Sequence, residues 1–331
     1  MIAPDIELPP AALLAAPALP LQAFSPVSIG NFIAGFDVLG AAVQPVDGTR
    51  LGDVVTVEAG HGLEITGAYA SALPADPQAN IVARARTWFE QTLLARELAP
   101  RPLRLVLEKR LPVGSGLGSS GSSIVAALVA LNAAHGEPLD AMDLLRLAGG
   151  LEGEISGGVH YDNVAPSLLG GLQLMAPAPA PPAVALPFFP EWRFAVYYPG
   201  FVVSTRDARR VLPAAWPLGE LTTFGQRIAG LVHGLHVGDR ELVARLLVDE
   251  LVEPHRASLV PGFPAAQRAA REAGAIACGL SGSGPTTVAV TTDDLSAQRV
   301  LAALAGAFEP RPGAFGHVCA IEPRGAVAVP A

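Results

Sequence analysis

Leu111-Pro-Val-Gly-Ser-Gly-Leu-Gly-Ser-Ser-Gly-Ser-Ser123 is the stretch on which the reading of this chain turns. Just before it, LRLVLEK at 103–109 alternates apolar and polar residues, the two-residue period of a half-buried strand. Just after it, SIVAALVALNAA at 123–134 is apolar on nearly every face, which predicts a central buried helix that Gly136 can terminate at its C′ position. A loop of glycines between strand and helix lets backbone N–H groups come close to an anion. At a helix start those amides have no internal partner and the macrodipole favours negative charge, so a phosphate chain fits there. For the loop alone, a flexible turn with serine caps is the plainer alternative and stays open. Neither common nucleotide loop is present: no lysine follows the glycines as in G-x-x-x-x-G-K-[ST], and G-x-G-x-x-G is absent at the right offset from a first strand.

Outward from the loop the pattern is mixed. DVVTVE at 53–58 alternates as a strand does, and NIVARARTWFEQTLLAREL at 80–98 spaces Ile81, Ala85, Trp88 and Leu93 as a helix does, with Asn80 as its N-cap. RFAVYY at 193–198 reads as a strand and follows the proline-rich PAPAPPA at 177–183, a shift in composition that marks a surface loop or a lobe boundary near 170–185. Helical patterns at 221–251, 264–273 and 295–306 then alternate with strand patterns at 286–291 and 316–321. No internal repeat of fixed period is present.

At 331 residues the chain suits two lobes with a cleft between them. Half of it is hydrophobic and 16% charged, enough for buried cores and against extended disorder. A net charge of -8 without a basic run offers nucleic acid or an anionic membrane nothing to hold. Cys278 and Cys319 cannot build a disulfide framework, so a reducing compartment, the cytoplasm, is expected. The apolar start at 1–23 lacks a cationic n-region, carries Asp5 and Glu7 and is broken by prolines, which reads as an irregular extension rather than a signal or a spanning helix.

PVGSGLGSSGSS resembles the ATP loop of the GHMP kinases, the superfamily of galactokinase, homoserine kinase, mevalonate kinase and phosphomevalonate kinase. SPVSIGNFIAGFDVLG at 25–40 is similar to the family's first motif and GLSGSGPT at 279–286 to its third, in the expected order. Within the superfamily, GNFIAGFDVLG, SGGVHYDNVAPSLLGG at 156–171 and EPHR at 253–256 resemble the homoserine kinase branch. The resemblance implies an α+β, two-lobed fold: a mixed α/β N-terminal lobe with a left-handed crossover over 24–175, and a ferredoxin-like C-terminal lobe over 185–327. It implies ATP-dependent phosphorylation of the L-homoserine hydroxyl in threonine biosynthesis, with Mg²⁺, and family precedent makes a homodimer reasonable. Another small-molecule kinase of the superfamily, acting on mevalonate, shikimate or a sugar, and a catalytically silent sensor on the same fold are the alternatives.

Carried over residue by residue, the resemblance places ATP on Pro112, Val113, Gly114, Ser115, Gly116, Leu117, Gly118, Ser119, Ser120, Gly121 and Ser122, with Gly282, Ser283 and Gly284 of the third motif beside it. It places magnesium on Ser120 and Glu152, with Glu154 the competing carboxylate. Phosphoryl transfer needs an anion cradle, a metal ligand and a substrate grip more than covalent chemistry. Homoserine is a zwitterion, so its grip needs carboxylates for the ammonium and arginines for the carboxylate. By motif position Asn31, Asp37 and Asp162 face the amino and hydroxyl end, Arg209 and Arg256 the carboxylate, and Thr205 orients the substrate. Singly each has a plainer role: Asp37 and Asp162 as caps, Arg209 and Arg256 as surface residues, His160 and His255 as structural hydrogen-bonders. Asn163 stands where mevalonate kinase relatives carry an aspartate taken as a general base, and an amide does not accept a proton at neutral pH. No dedicated side-chain base is therefore expected.

Overall fold

A computed structural model of the chain describes residues 17–74, 76 and 79–331. Most of the stretch expected to be an irregular extension, residues 1–16, lies outside them. The chain opens with β1 (Leu21–Gly30), β2 (Leu39–Pro45), β3 (Gly52–Ala59) and β4 (Leu63–Thr66), then α1 (Ile81–Ala95) and β5 (Leu103–Glu108). The glycine loop leads into α2 (Ser119–Ala134), followed by α3 (Ala141–Ser156), α4 (Val164–Leu169), β6 (Leu172–Met175) and β7 (Ala183–Leu186). Next come β8 (Arg193–Tyr198), α5 (Thr205–Arg210), α6 (Leu218–Val237), α7 (Arg240–Leu246), α8 (Glu253–Arg256) and α9 (Phe263–Glu272). β9 (Ala277–Leu280), β10 (Thr287–Thr291), α10 (Asp294–Ala307), β11 (Phe315–Ile321) and β12 (Val327–Pro330) complete it.

The strands form a mixed sheet in the order β4-β5-β3-β1-β2-β11-β8-β10-β9. β1 joins its two parts, because Leu21–Pro26 pair with β3 while Val27–Gly30 pair with β2. β4 and β5 run parallel with α1 between them. In the second half, β8, β9, β10 and β11 lie in the order β11-β8-β10-β9, the ferredoxin-like arrangement. The fold is thus the mixed α/β, two-domain one that the motifs implied. The proline-rich 177–183 turns between β6 and β7, with the Ala176 N–H on the Pro182 carbonyl at 3.1 Å.

Local chemistry accounts for the elements that carry the site. Asn80 caps α1 by accepting from the Val82 N–H at 2.9 Å. The buried stripe of α1 is Val82, Ala85, Phe89 and Leu93. Ile81 and Trp88 pack at its edge, because a helix presents each face over about 100° and either phase satisfies the spacing. Phe89 alone removes enough apolar surface from water to contribute about 2–3 kcal/mol. α2 is buried almost all round and its C-terminal Gly136 sits at φ 77°, as the sequence predicts. The pattern at 221–251 is not one helix: Gly238, at φ 74°, ends α6, and Asp239 caps α7 by accepting from the Leu242 N–H at 2.9 Å. Among the described residues no helix is long and apolar enough to cross a membrane.

Candidate functional site

A cavity of about 690 Å³ opens where the β1–β2 loop, the β5–α2 loop, the α3–α4 loop, α5, α8 and the β9–β10 loop meet. These six segments each bring residues the motifs had singled out, and the start of α1 lines the cavity beside them.

The glycine loop forms one wall. Gly114, Gly116 and Gly118 have φ of 66°, 82° and 63°, a left-handed conformation that side-chain-bearing residues rarely adopt. A Cβ on Gly118 would lie 2.1 Å from Ser28 Oγ, and one on Gly116 2.5 Å from the Ser281 carbonyl. Gly118 starts α2 without a side-chain cap, so the first amides of that helix are left for other acceptors. The third glycine-rich motif braces this wall: Ser281 Oγ donates to the Gly116 carbonyl at 2.6 Å and the Thr286 N–H to the Ser115 carbonyl at 3.1 Å. This cradle fits a phosphate chain.

Beneath it lies a feature the sequence did not disclose. Lys109 and Asp53, 1% and 0% exposed, are ion-paired. Lys109 Nζ also donates to the Ser119 carbonyl at 2.8 Å and to Ser123 Oγ at 3.0 Å, while Asp53 Oδ1 accepts from the Arg110 and Leu111 N–H groups at 2.9 and 3.0 Å. Burial pushes the Lys109 ammonium down and Asp53 holds it up. The pair ties the end of β5 to the first turn of α2 and so sets the height of the loop.

Ser120 Oγ donates to Glu152 Oε1 at 2.9 Å. Burial pushes the Glu152 carboxyl up, against the Ser120 hydroxyl and the Lys109 charge, which lower it. Glu154 instead pairs with Arg84. Among the described residues no three His, Cys, Asp or Glu side chains gather as a metal cluster. A hydroxyl and one carboxylate are nonetheless the hard-oxygen donors that a largely hydrated Mg²⁺ takes alongside phosphate.

Opposite the loop stands a charged wall. Arg209 donates to both carboxylate oxygens of Asp37, at 3.1 and 2.8 Å. Asn31, at φ 68°, accepts the Asp37 N–H through Oδ1 at 3.0 Å and donates to the Gly282 carbonyl at 3.0 Å. Arg256 donates to the same carbonyl at 2.9 Å and to the Ala208 carbonyl at 3.1 Å. Both guanidiniums lie over the Phe36 ring, 5.4 Å for Arg209 and 4.8 Å for Arg256. His160 Nδ1 stands 3.5 Å from Asp37 Oδ2, and burial holds its imidazole below the ordinary value. Asp162 is 5% exposed, and burial together with Asp37 and Glu152 pushes it up to about 7. Asn163 donates from Nδ2 to Asp162 Oδ2 at 3.2 Å and accepts from Ser28 Oγ at 3.0 Å.

Thr205, Ser283 and most of the loop also line the cavity, whereas Pro112, Leu117, Gly121, Ser122 and Gly284 do not. Leu117 and Ser122 are fully buried, and Ser122 Oγ works on the far side, donating to the Ser25 carbonyl at 2.8 Å. Sequence reasoning passed over Phe36, Lys109, Arg84 and Val202, which line the same space. Phe36 was within reach, since it sits inside the first motif beside Asp37.

Family models described as the GHMP kinases N terminal domain and the GHMP kinases C terminal match residues 80–171 and 231–310. A crystal structure of homoserine kinase from Cytophaga hutchinsonii is 33% identical, with 94% of this chain and 97% of that chain covered and a TM-score of 0.84. The phosphomevalonate kinase of Streptococcus pneumoniae is similar in fold at 15% identity, covering 92% of this chain and 99% of that one, with a TM-score of 0.67. L. major mevalonate kinase, solved with R-mevalonate, is similar in fold at 15% identity, covering 90% and 95%, with a TM-score of 0.62. The chain belongs to the GHMP kinases, a family of small-molecule phosphotransferases.

Proposed function

We propose that the protein transfers the γ-phosphoryl group of ATP to the side-chain hydroxyl of L-homoserine, giving O-phospho-L-homoserine for threonine biosynthesis in the cytoplasm. The observation that carries this reading is the charged wall: Asp37 and Asp162 stand in one cavity with Arg209 and Arg256, facing a glycine loop built for phosphates. Mevalonate, shikimate and sugars have no ammonium group and little use for two carboxylates there. The 33% identity to the C. hutchinsonii homoserine kinase supports the same choice.

The geometry supports the following division of roles. In this reading residues 24–175 supply the ATP-binding lobe and 185–327 the lobe that completes the substrate grip. Amides at the start of α2 and the glycine loop hold the phosphate chain, and Ser120 and Glu152 are the groups that would hold Mg²⁺. Magnesium, when bound, offsets the charge of the β- and γ-phosphates. Arg209 and Arg256 receive the amino-acid carboxylate, while Asp37 and Asp162 receive the ammonium. Asn163, fixed between Ser28 and Asp162, orients the hydroxyl without taking its proton. In a loose transition state the attacking hydroxyl loses its proton late, so positioning and charge neutralisation supply the rate. Phosphorus NMR of a reaction with ATP and L-homoserine tests the reading: a new phosphomonoester resonance matching O-phosphohomoserine supports it, and ATP left unchanged opposes it.

A further inference from the structure

The cavity holds the two charges that an α-amino acid needs, and they are joined to each other. Arg209 and Asp37 form a bidentate fork across 3.1 and 2.8 Å. Their side chains are 27% and 26% exposed, so the pair faces the cavity rather than the core. It is held on both sides, Asp37 through its backbone N–H, which donates to Asn31 Oδ1 at 3.0 Å, and Arg209 by the Phe36 ring at 5.4 Å. Yet among the described residues the arrangement leaves Arg209 Nε buried with no acceptor. A buried guanidinium donor without a partner is costly, and a carboxylate that drew the guanidinium off Asp37 could satisfy it. The neighbouring charges do not break the fork. Arg256 is tied to the Gly282 and Ala208 carbonyls, and His160 Nδ1 lies 3.5 Å from Asp37. Asp162 hydrogen-bonds Asn163.

We propose that a zwitterionic substrate enters by exchange with this internal ion pair, its ammonium taking Asp37 from Arg209 while its carboxylate takes Arg209 from Asp37. The exchange rests on the amino-acid reading given above. It makes the pair a selectivity device. A ligand with both charges replaces both halves of the fork. A hydroxy acid takes Arg209 and strands Asp37, and an amino alcohol does the reverse, so each loses more than the one contact it lacks.

The test is calorimetric binding of L-homoserine and of γ-hydroxybutyrate, which keeps the carboxylate and hydroxyl but has no ammonium. Asp37→Asn frees Arg209 from its internal partner. It is expected to bind L-homoserine at least about tenfold more weakly than the wild type and γ-hydroxybutyrate about three- to tenfold more tightly. The mirror variant, Arg209→Gln, is expected to bind homoserinol, which lacks the carboxylate, more tightly than the wild type. Each variant's thermal midpoint is measured alongside, and either one alone decides the matter if the other fails to fold. γ-Hydroxybutyrate binding no tighter to Asp37→Asn, while L-homoserine still binds the wild type, overturns the exchange and leaves the substrate assignment standing. A wild type that does not bind L-homoserine overturns both.

Discussion

Ser120 and Glu152 meet across 2.9 Å at the point where the glycine loop becomes α2, the hydroxyl donating to the carboxylate. They are thirty-two positions apart, yet they form a hard-oxygen pair beside the glycine loop. On the assignment proposed above, Glu152→Ala is expected to lower kcat by about a hundredfold or more and to shift the magnesium titration to higher concentration, since one of few proposed protein ligands is lost. Glu154→Ala, which removes only the partner of Arg84, is expected to leave the magnesium titration unchanged. A magnesium titration that does not move in Glu152→Ala removes that residue from the site.

The buried Lys109–Asp53 pair predicts a non-additive stability pattern. Removing one partner by Asp53→Ala leaves an ammonium at 1% exposure without its ion-pair partner, and costs about 3–5 kcal/mol in urea unfolding. Replacing both, by Lys109→Met with Asp53→Leu, is expected to recover much of that loss. Equal losses in the single and double variants would contradict the account.

Two carboxyls set a pH dependence with an unusual sign. Asp162 and Glu253 are raised from 3.8 and 4.5 to about 7, both chiefly by burial. Glu253 is buried at 8% exposure, accepting from the Leu280 N–H at 3.0 Å and from Gln267 at 2.8 Å. The folded chain keeps these protons after the unfolded chain has lost them. Their contribution is full below about pH 4 and is lost as pH rises through about 7. Asp162→Asn, which never ionises, is therefore expected to be more stable than the wild type at pH 8, by about 2–4 kcal/mol, with the difference vanishing near pH 4. A constant difference at all pH values would contradict the assignment. The same titration predicts that KM for L-homoserine rises as pH falls below 7 and Asp162 loses its charge.

Much of this arrangement was legible in the chain. The strand at 193–198 coincides with β8, and Asn80 and Gly136 mark the helix ends the sequence suggests, whereas α2 begins at Ser119, four residues before the expected Ser123. Short-range pattern carries that information. The short strands β4, β6 and β7 escaped notice, because four residues are too few to show alternation and β7 emerges from a proline-rich run. The ion pairs were illegible for a different reason. Asp53 and Lys109 are 56 positions apart and Asp37 and Arg209 are 172, so only the folded chain brings them together. The raised Asp162 carboxyl likewise depends on burial, which its motif does not reveal.

Asn163 tests the absence of a side-chain base. Asn163→Asp puts a second carboxyl where the amide now donates to Asp162 at 3.2 Å. Like charges that close disfavour joint ionisation, so kcat is expected to rise less than about threefold, if at all. A large gain would show that proton removal limits the wild type.

The central claim is the substrate, and a coupled ADP-release assay with magnesium and ATP tests it most directly, using L-homoserine, mevalonate, shikimate and galactose in parallel. Turnover with L-homoserine alone is the predicted result. Turnover with another of the four, and none with L-homoserine, would contradict it.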